Sequence, residues 1–371
     1  MRVPFVDLAA QHAEIADEVW PGLGEVFAAT AFVGGPEVTA FERDYAAYVG
    51  VDHCVGVANG TDALELALRG VGVTPDSEVI LPANTFIATA EAVSRIGARP
   101  VPVDVDEEHL LIDPVAVAEA VTEATSAVVG VHLFGQLAPL DELAEICGEQ
   151  RLPLVEDAAQ SQGAQWRGRV VADHVRVAAT SFYPGKNLGA AGDAGAVTTV
   201  DPEIADRVRL LANHGSSTRY VHDVIGMNSR LDAVQAVYLR AKLGRLDKWN
   251  DLRSRAAQRY AELLADVPGI QCPGAIHPEG HVWHLYVVRV DHRDRVLQAL
   301  GEAGIGAGIH YPTPVHLTGA YRGLGLGPGT APIAEAAAGR ILSLPMHPHL
   351  TEDMQAYVAE VLIEAVTGGG R

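Results

Sequence analysis

The sequence is short of positive charge, of cysteine and of long apolar runs, and each shortage excludes something. Against 47 acidic residues it has 27 lysines and arginines, a formal charge of −20. A general nucleic-acid binder or a polybasic membrane binder needs a cationic footprint that this composition does not supply. The three cysteines, Cys54, Cys147 and Cys272, are far apart, odd in number and form no CxxC pair. They read as reduced thiols of a cytoplasmic protein. No run of eighteen apolar residues occurs, so no transmembrane helix is expected. The N-terminal stretch MRVPFVDLAAQHAEIADEVW places acids where a signal peptide needs an apolar core, and is expected to be retained. Repeats, biased tracts and disordered linkers are also missing.

What is present is a chain of 371 residues, against roughly 150 per domain as a prior, so two or three domains are expected. Its first two thirds alternate strand and helix signals. Apolar runs at 52–58, 78–83, 100–106, 126–135, 152–158 and 175–182 read as strands. Between them, 61–70, 86–98, 113–124 and 140–150 have helical spacing, the first with Thr61 as a possible N-cap. Such alternation predicts a mostly parallel sheet covered on both faces, an α/β three-layer domain whose ligands bind beyond the carboxyl ends of the strands. The last third reads as α+β. One long amphipathic stretch, 231–267, has no internal proline, although Gly244 can bend it, and 281–291 is strand-like. Segments 294–304, 331–343 and 351–366 read as helices. The expected division is a large domain, 1–245, and a smaller C-terminal one, 246–371.

The chemistry concentrates in LVEDAAQSQGA (154–164) and TSFYPGKNLGAAGDAGAV (180–197). Asp157 ends a strand, and Lys186 follows in a loop bounded by Gly185, Gly189, Gly192 and Gly195. A buried acid and a lysine above one sheet edge suit pyridoxal phosphate: the lysine forms a Schiff base with the aldehyde, and the carboxylate keeps the pyridine nitrogen protonated. Alone, the pair also suits a solvated loop lysine and a turn aspartate. PGKN is not a P-loop, because Thr180 replaces its first glycine and Asn187 its Ser/Thr. ANGTDAL (58–64) puts Asn59, Gly60 and Thr61 at a strand-to-helix junction, where free amides and the helix dipole favour a phosphate. Phe86, at the start of the next helix, can stack on a pyridine ring or serve as core. His310, His316, His347 and His349 lack a cysteine or carboxylate at ligand spacing, so no metal site is expected. Trp249, Tyr260 and Leu263 read as core or dimer packing.

With GMNSRLDAVQA (226–236) added, these motifs resemble the DegT/DnrJ/StrS sugar aminotransferases, pyridoxal phosphate enzymes of fold type I, from VPFVDL (3–8) to SLPMHPHLT (343–351). The resemblance implies Lys186 as the Schiff-base lysine and Asp157 as the partner of the pyridine nitrogen. It implies Gln160 near the phenolic oxygen, Phe86 on the ring, and Gly60, Thr61 and Ser181 at the phosphate. Asn228 would reach in from a neighbouring subunit, which makes a homodimer with shared active sites the minimum unit. Similar sugar dehydratases have histidine where this chain has Lys186, which favours amino transfer. GIHYPTPVHLTGAY (308–321) is similar to enzymes of 3-keto nucleotide sugars; there His310, Tyr311 and Tyr183 would lie near the sugar nucleotide, with Arg219 at the pyrophosphate across the dimer. The expected reaction moves an amino group from glutamate to C3 of a dTDP-linked deoxy sugar. Amination at C4, or of a keto-cyclitol, is the alternative, and a non-catalytic sensor is the alternative of another class.

Overall fold

The computed structural model describes residues 1–166 and 177–368. Three helices come first: α1 (Leu8–Ala13), α2 (Ala16–Ala29) and α3 (Pro36–Val49). Asp7 caps α1 by accepting from the Ala10 amide, and α3 opens on a proline, where no helical donor is needed. Strand and helix then alternate through β1 (His53–Val57), α4 (Gly60–Gly70), β2 (Glu78–Pro82), α5 (Ile87–Ile96), β3 (Arg99–Val103), α6 (Pro114–Ala120), β4 (Thr125–Val131), α7 (Leu140–Gln150) and β5 (Leu154–Asp157). After β6 (Val177–Ser181), β7 (Gly195–Thr199) returns as a hairpin partner, and α8 (Pro202–Ala212) follows. The chain then forms α9 (Ala233–Leu243), α10 (Leu246–Leu264), β8 (Ile270–Gln271), β9 (Tyr286–Val290), α11 (Arg293–Glu302), α12 (Pro332–Ala338), β10 (Ile341–Leu344) and α13 (Glu352–Thr367).

Among the described residues, seven strands make one sheet in the order β1-β7-β6-β5-β4-β2-β3. β7 alone runs against the rest, antiparallel to both β1 and β6. The period of two sends alternate side chains to opposite faces. Val79, Leu81, Ala127, Val129 and Val155 join Leu64, Leu68, Val93 and Val208 of α4, α5 and α8. Ile80, Val128 and Leu154 point the other way, against Val117, Leu140 and Leu143 of α6 and α7. Near β1 that second face is covered by α3 and α9 through Cys54, Phe41, Ala236 and Leu239. These near-continuous apolar strands are what a sheet buried on both faces requires, and the expected α/β fold type I class is present. A second, antiparallel sheet, β10-β9-β8, packs Tyr286, Val288 and Leu342 on Tyr260, Val296, Val358 and Leu362 of α10, α11 and α13. Val3 joins this second core, and its amide donates to the Gly304 carbonyl at 3.0 Å.

Several local expectations change. Thr61 does not cap α4: Asn59 does, its Oδ1 accepting from the Asp62 amide at 2.8 Å. The stretch 231–267 is two helices rather than one, interrupted at Gly244 and Arg245. The expected helix 331–343 ends at Ala338; Ile341–Leu344 pairs with β9, because a Gly-Arg stop precedes a run that suits a strand. The run 126–135 stops being a strand at Val131, where the chain turns through Leu133–Gly135. The first two residues of the expected strand 175–182 lie outside the described residues. Among the described residues no helix is long and apolar enough to cross a membrane.

Candidate active site

A cavity of about 540 Å³ opens where β1, β2, β4, β5 and β6 end, at their carboxyl edge. Ten of the twelve residues expected at the site line it: Gly60, Thr61, Phe86, Asp157, Gln160, Ser181, Tyr183, Lys186, His310 and Tyr311. Asn228 and Arg219 do not reach it. Both are exposed on the loop between α8 and α9, and the Arg219 guanidinium lies 4.9 Å from the Tyr220 ring centre.

Asp157 is the last residue of β5 and is buried. Its Oδ2 accepts from the Thr89 hydroxyl at 2.8 Å and its Oδ1 from the Ala159 amide at 3.2 Å. Thr89 stands three residues beyond Phe86, one turn along α5, so a single helix face carries the cavity wall and the donor to the carboxylate. Burial holds the Asp157 carboxyl above the ordinary aspartate range, against the pull of Thr89, Ala159, Lys186 and His132. A cation brought into the cavity would reverse that balance.

Lys186 is presented by a loop anchored on both sides. Phe182 is fully buried, packed edge-on against Phe41 and Tyr45 at 5.4 and 5.2 Å between ring centres. The buried Lys242 donates to the Gly189 carbonyl at 2.8 Å. A Cβ at Gly189 would meet the Pro184 carbonyl oxygen at 2.3 Å, so only glycine fits where the loop folds back. Burial lowers the Lys186 amine to about 8, opposed by the Asp157 charge. An amine in that range is partly neutral at physiological pH, as a nucleophile or base must be.

The N-terminus of α4 forms the next wall. Because Asn59 does the capping, the Thr61 hydroxyl is left to the cavity. Gly60 abuts β6, where a Cβ would meet the Ser181 Cβ at 2.5 Å. An eleven-residue helix N-terminus with a glycine and two hydroxyls beside it fits a phosphate. The acid, the lysine, this cup and the half-exposed Phe86 ring together fit pyridoxal phosphate. On the opposite side, Gln160 accepts from the Phe134 amide at 2.7 Å and donates to the Tyr311 hydroxyl at 3.1 Å. Phe86 lies 5.1 Å from the Tyr311 ring centre. His310 bonds Ser343 Oγ through Nδ1 at 2.8 Å and stacks on Phe5 at 5.6 Å. Burial, then Lys186, lowers its imidazolium to about 4, so it is neutral at physiological pH.

Sequence reasoning missed Thr89, Phe5, Asp193 and His284, all of which line the cavity. Only Thr89 had a usable signal, its helical spacing from Phe86. Of the histidines weighed as metal ligands, His316 pairs with Glu335 at 2.9 Å and His349 with Glu14 at 2.5 Å. Among the described residues no group of three or more His, Cys, Asp or Glu side chains could hold a metal ion.

A lysine and a buried carboxylate facing one cavity, at the carboxyl edge of this sheet and beside a helix N-terminus, define a pyridoxal-phosphate-dependent aminotransferase of fold type I. Comparison with known proteins is specific. The chain is 49% identical over 363 residues to the erythromycin biosynthesis sensory transduction protein EryC1 of Saccharopolyspora erythraea, covering 98% of this chain and 99% of that one. It is 47% identical to a dTDP-3-amino-3,4,6-trideoxy-alpha-D-glucose transaminase of Streptomyces venezuelae, covering 98% and 96%. The X-ray structure of S. venezuelae DesV in complex with a ketimine intermediate superposes with a TM-score of 0.96 at 46% identity, covering 99% of both chains. The profile of the DegT/DnrJ/EryC1/StrS aminotransferase family matches residues 14–363, and the chain belongs to that family.

Proposed function

We propose that the protein transfers an amino group from glutamate to C3 of a dTDP-linked keto deoxy sugar, in amino-sugar biosynthesis. The observation that carries this reading is the shared cavity of Lys186 and Asp157, with a phosphate cup on one side and His310, Tyr311 and Tyr183 on the other. The 47% identity to a transaminase of a dTDP-3-amino sugar supports the nucleotide and the position.

When bound, pyridoxal phosphate supplies an aldehyde to carry the amino group and a ring that takes up electrons from a deprotonated carbon. The chain's residues do the rest. Asp157 holds a proton at the ring nitrogen, and Thr89 and Ala159 orient the carboxylate. Gly60, Thr61 and Ser181 bind the phosphate through amides and hydroxyls. Phe86 covers the ring face, and Gln160 offers its amide near the phenolic oxygen. The Lys186 amine, free of the cofactor, would take the proton from the donor carbon that bears nitrogen and deliver it to the former aldehyde carbon, on the other side of that nitrogen. It is already placed by its former bond, so no second base is needed. Incubation of the protein with glutamate and a 3-keto dTDP-6-deoxy sugar, a 4-keto dTDP-6-deoxy sugar or a keto-cyclitol tests the reading. Nitrogen at C3 in the product NMR spectrum is expected; nitrogen at C4, or on a keto-cyclitol instead, would replace it.

The proposal includes a homodimer in which Asn228 and Arg219 serve the partner's cavity. It is supported by the apolar side chains beside them: Tyr220 is 80% and Ile225 90% exposed, with Trp20, Phe27, Phe32 and Val33 exposed nearby on and after α2. The Val33–Asp232 bridge brings that segment against the start of α9. The division into 1–245 and 246–371 also belongs to this reading, supported by the interruption at Gly244–Arg245 and by the separate core of the second sheet. The name of the EryC1 relative favours a second reading, a sensor on the same fold. A colourless protein that takes up no added pyridoxal phosphate would support it.

A further inference from the structure

Asp157 is held by more than the groups that touch it. Its Oδ1 is served by the Ala159 amide and its Oδ2 by the Thr89 hydroxyl. Thr89 Oγ1 also lies 2.8 Å from Thr85 Oγ1. Two hydroxyls can share a hydrogen in either direction, and here the carboxylate decides. A hydroxyl has one hydrogen, and an ionised carboxylate only accepts. The Thr89 hydrogen is committed to Asp157 at 2.8 Å, so the Thr85 hydrogen points at Thr89. The three groups form one directed chain, from Thr85 through Thr89 to Asp157. Both threonines are buried, and Thr85 also lines the cavity.

The local fold explains the spacing. Phe86 is the N-cap of α5, with Thr85 just before it and Thr89 in the first turn. Residues four apart at a helix start lie one above the other. The backbone there is fixed. The Thr85 amide donates to the Pro82 carbonyl at 3.3 Å, the Thr89 amide to the Phe86 carbonyl at 3.2 Å, and the Val315 amide to the Ala83 carbonyl at 2.8 Å. One helix start, Thr-Phe-x-x-Thr, thus supplies a ring to the cavity and a hydroxyl chain to the acid. It also holds the carboxylate at the first turn of a ten-residue helix, whose N-terminal partial charge favours the ionised form.

We propose that Thr85 is a positioning residue for Asp157, acting through Thr89. A hydroxyl that accepts one hydrogen bond donates a stronger one, and its rotation is restricted. Without Thr85, Thr89 still touches the carboxylate but donates more weakly and turns more freely. The carboxylate must stay ionised and aimed to hold a proton at a ring nitrogen. The consequence for turnover rests on the reading of Asp157 as the partner of that nitrogen.

The test compares Thr85→Val and Thr89→Val, which keep the shape and lose the hydroxyl, with the double variant and with Thr85→Ser, which keeps the hydroxyl. The first readout needs no cofactor. The Asp157 carboxyl is titrated by carbon NMR in cofactor-free protein labelled at aspartate, with Asp157→Asn to assign the signal. Loss of a donor disfavours the carboxylate, so the midpoint should rise by about one pH unit with Thr89→Val and by about half a unit with Thr85→Val. Because Thr85 acts through Thr89, the double variant should match Thr89→Val alone, and Thr85→Ser should match the parent protein. The second readout is amino transfer from glutamate. There kcat should fall about 10-fold with Thr89→Val and about 3-fold with Thr85→Val, at unchanged KM. An unmoved midpoint in Thr85→Val would overturn the proposal. So would a double variant whose shift is the sum of the two. Equal impairment in Thr85→Ser and Thr85→Val with a lowered Tm would overturn it as well, making Thr85 merely structural. Failure of the underlying reading looks different: the midpoints would move as described in a protein that takes up no pyridoxal phosphate.

Discussion

The floor of the cavity and the loop between α8 and α9 are built on opposite principles. Around Lys186 and Asp157 a set of buried polar groups is held in place: Thr89 and Ala159 on the carboxylate, Lys242 on Gly189, Asn187 between Asn250, Val282 and His284. On the loop, Arg219, Tyr220, Ile225 and Asn228 face outward, charged beside apolar. The contrast teaches that the floor is pre-organised within one chain, whereas under the proposed function the rim is completed by a second. Buried donors and charges act strongly where water is excluded, so substitutions in the floor should act on rate. Substitutions in the loop should act on assembly and affinity.

The largest expected effect breaks the floor. Lys186→Ala should abolish covalent cofactor binding, read as loss of the yellow absorbance, and lower kcat by about 10⁴-fold or more. Asp157→Asn removes the charge opposite the ring nitrogen but keeps the shape, and kcat should fall about 10²–10³-fold at near-normal Tm. The loop comes next. Asn228→Ala should weaken phosphate affinity about 10-fold in a cofactor titration, with kcat at saturation changed far less. If kcat fell as it does for Asp157→Asn, the division between floor and loop would be wrong.

A smaller effect concerns pH and the cofactor-free protein. Burial depresses the Lys186 amine from 10.5 to about 8 on folding. The unfolded chain then binds more protons between those values, so this group's contribution to stability rises as pH goes from about 8 to 10.5 and is lost as pH falls through 8. Denaturant midpoints measured across that window should climb, and Lys186→Met should flatten part of the slope; Lys242, lowered to about 8 by burial and Arg253, accounts for another part. The smallest effect is that of salt. Under the proposed function the global charge of −20 repels a doubly anionic nucleotide sugar, and the attraction is local, at the α4 start, Lys186 and the partner-facing Arg219. Added salt should speed substrate association slightly, and a steep fall in on-rate would contradict this.

The parallel strands and the acid–lysine pair were legible because short apolar runs bounded by turns, with a charged residue at the end of one, fit few architectures besides a covered parallel sheet. Asn59 was misjudged because Thr61 is an equally good cap by type, and only the backbone at the junction separates them. The interruption between α9 and α10 contains no proline, and amphipathic spacing continues across it; Gly244 marked the place, but by type it reads as a bend rather than an end. Ile341–Leu344 became a strand by pairing with β9, a long-range choice that overrides its alanine-rich neighbours. His284 left no trace at all: in HLYVV it reads as one more strand residue, and its bond is to Asn187, ninety-seven positions away.

The central claim is that Lys186, held by the floor, is the residue that carries the cofactor. The chain has three lysines, Lys186, Lys242 and Lys248, and burial lowers both Lys186 and Lys242 to about 8. Borohydride reduction of the protein with bound pyridoxal phosphate, followed by digestion and mass spectrometry, decides between them. The account predicts the pyridoxyl mass on the Lys186 peptide alone; its appearance on Lys242 or Lys248, or no adduct with cofactor present, would contradict it.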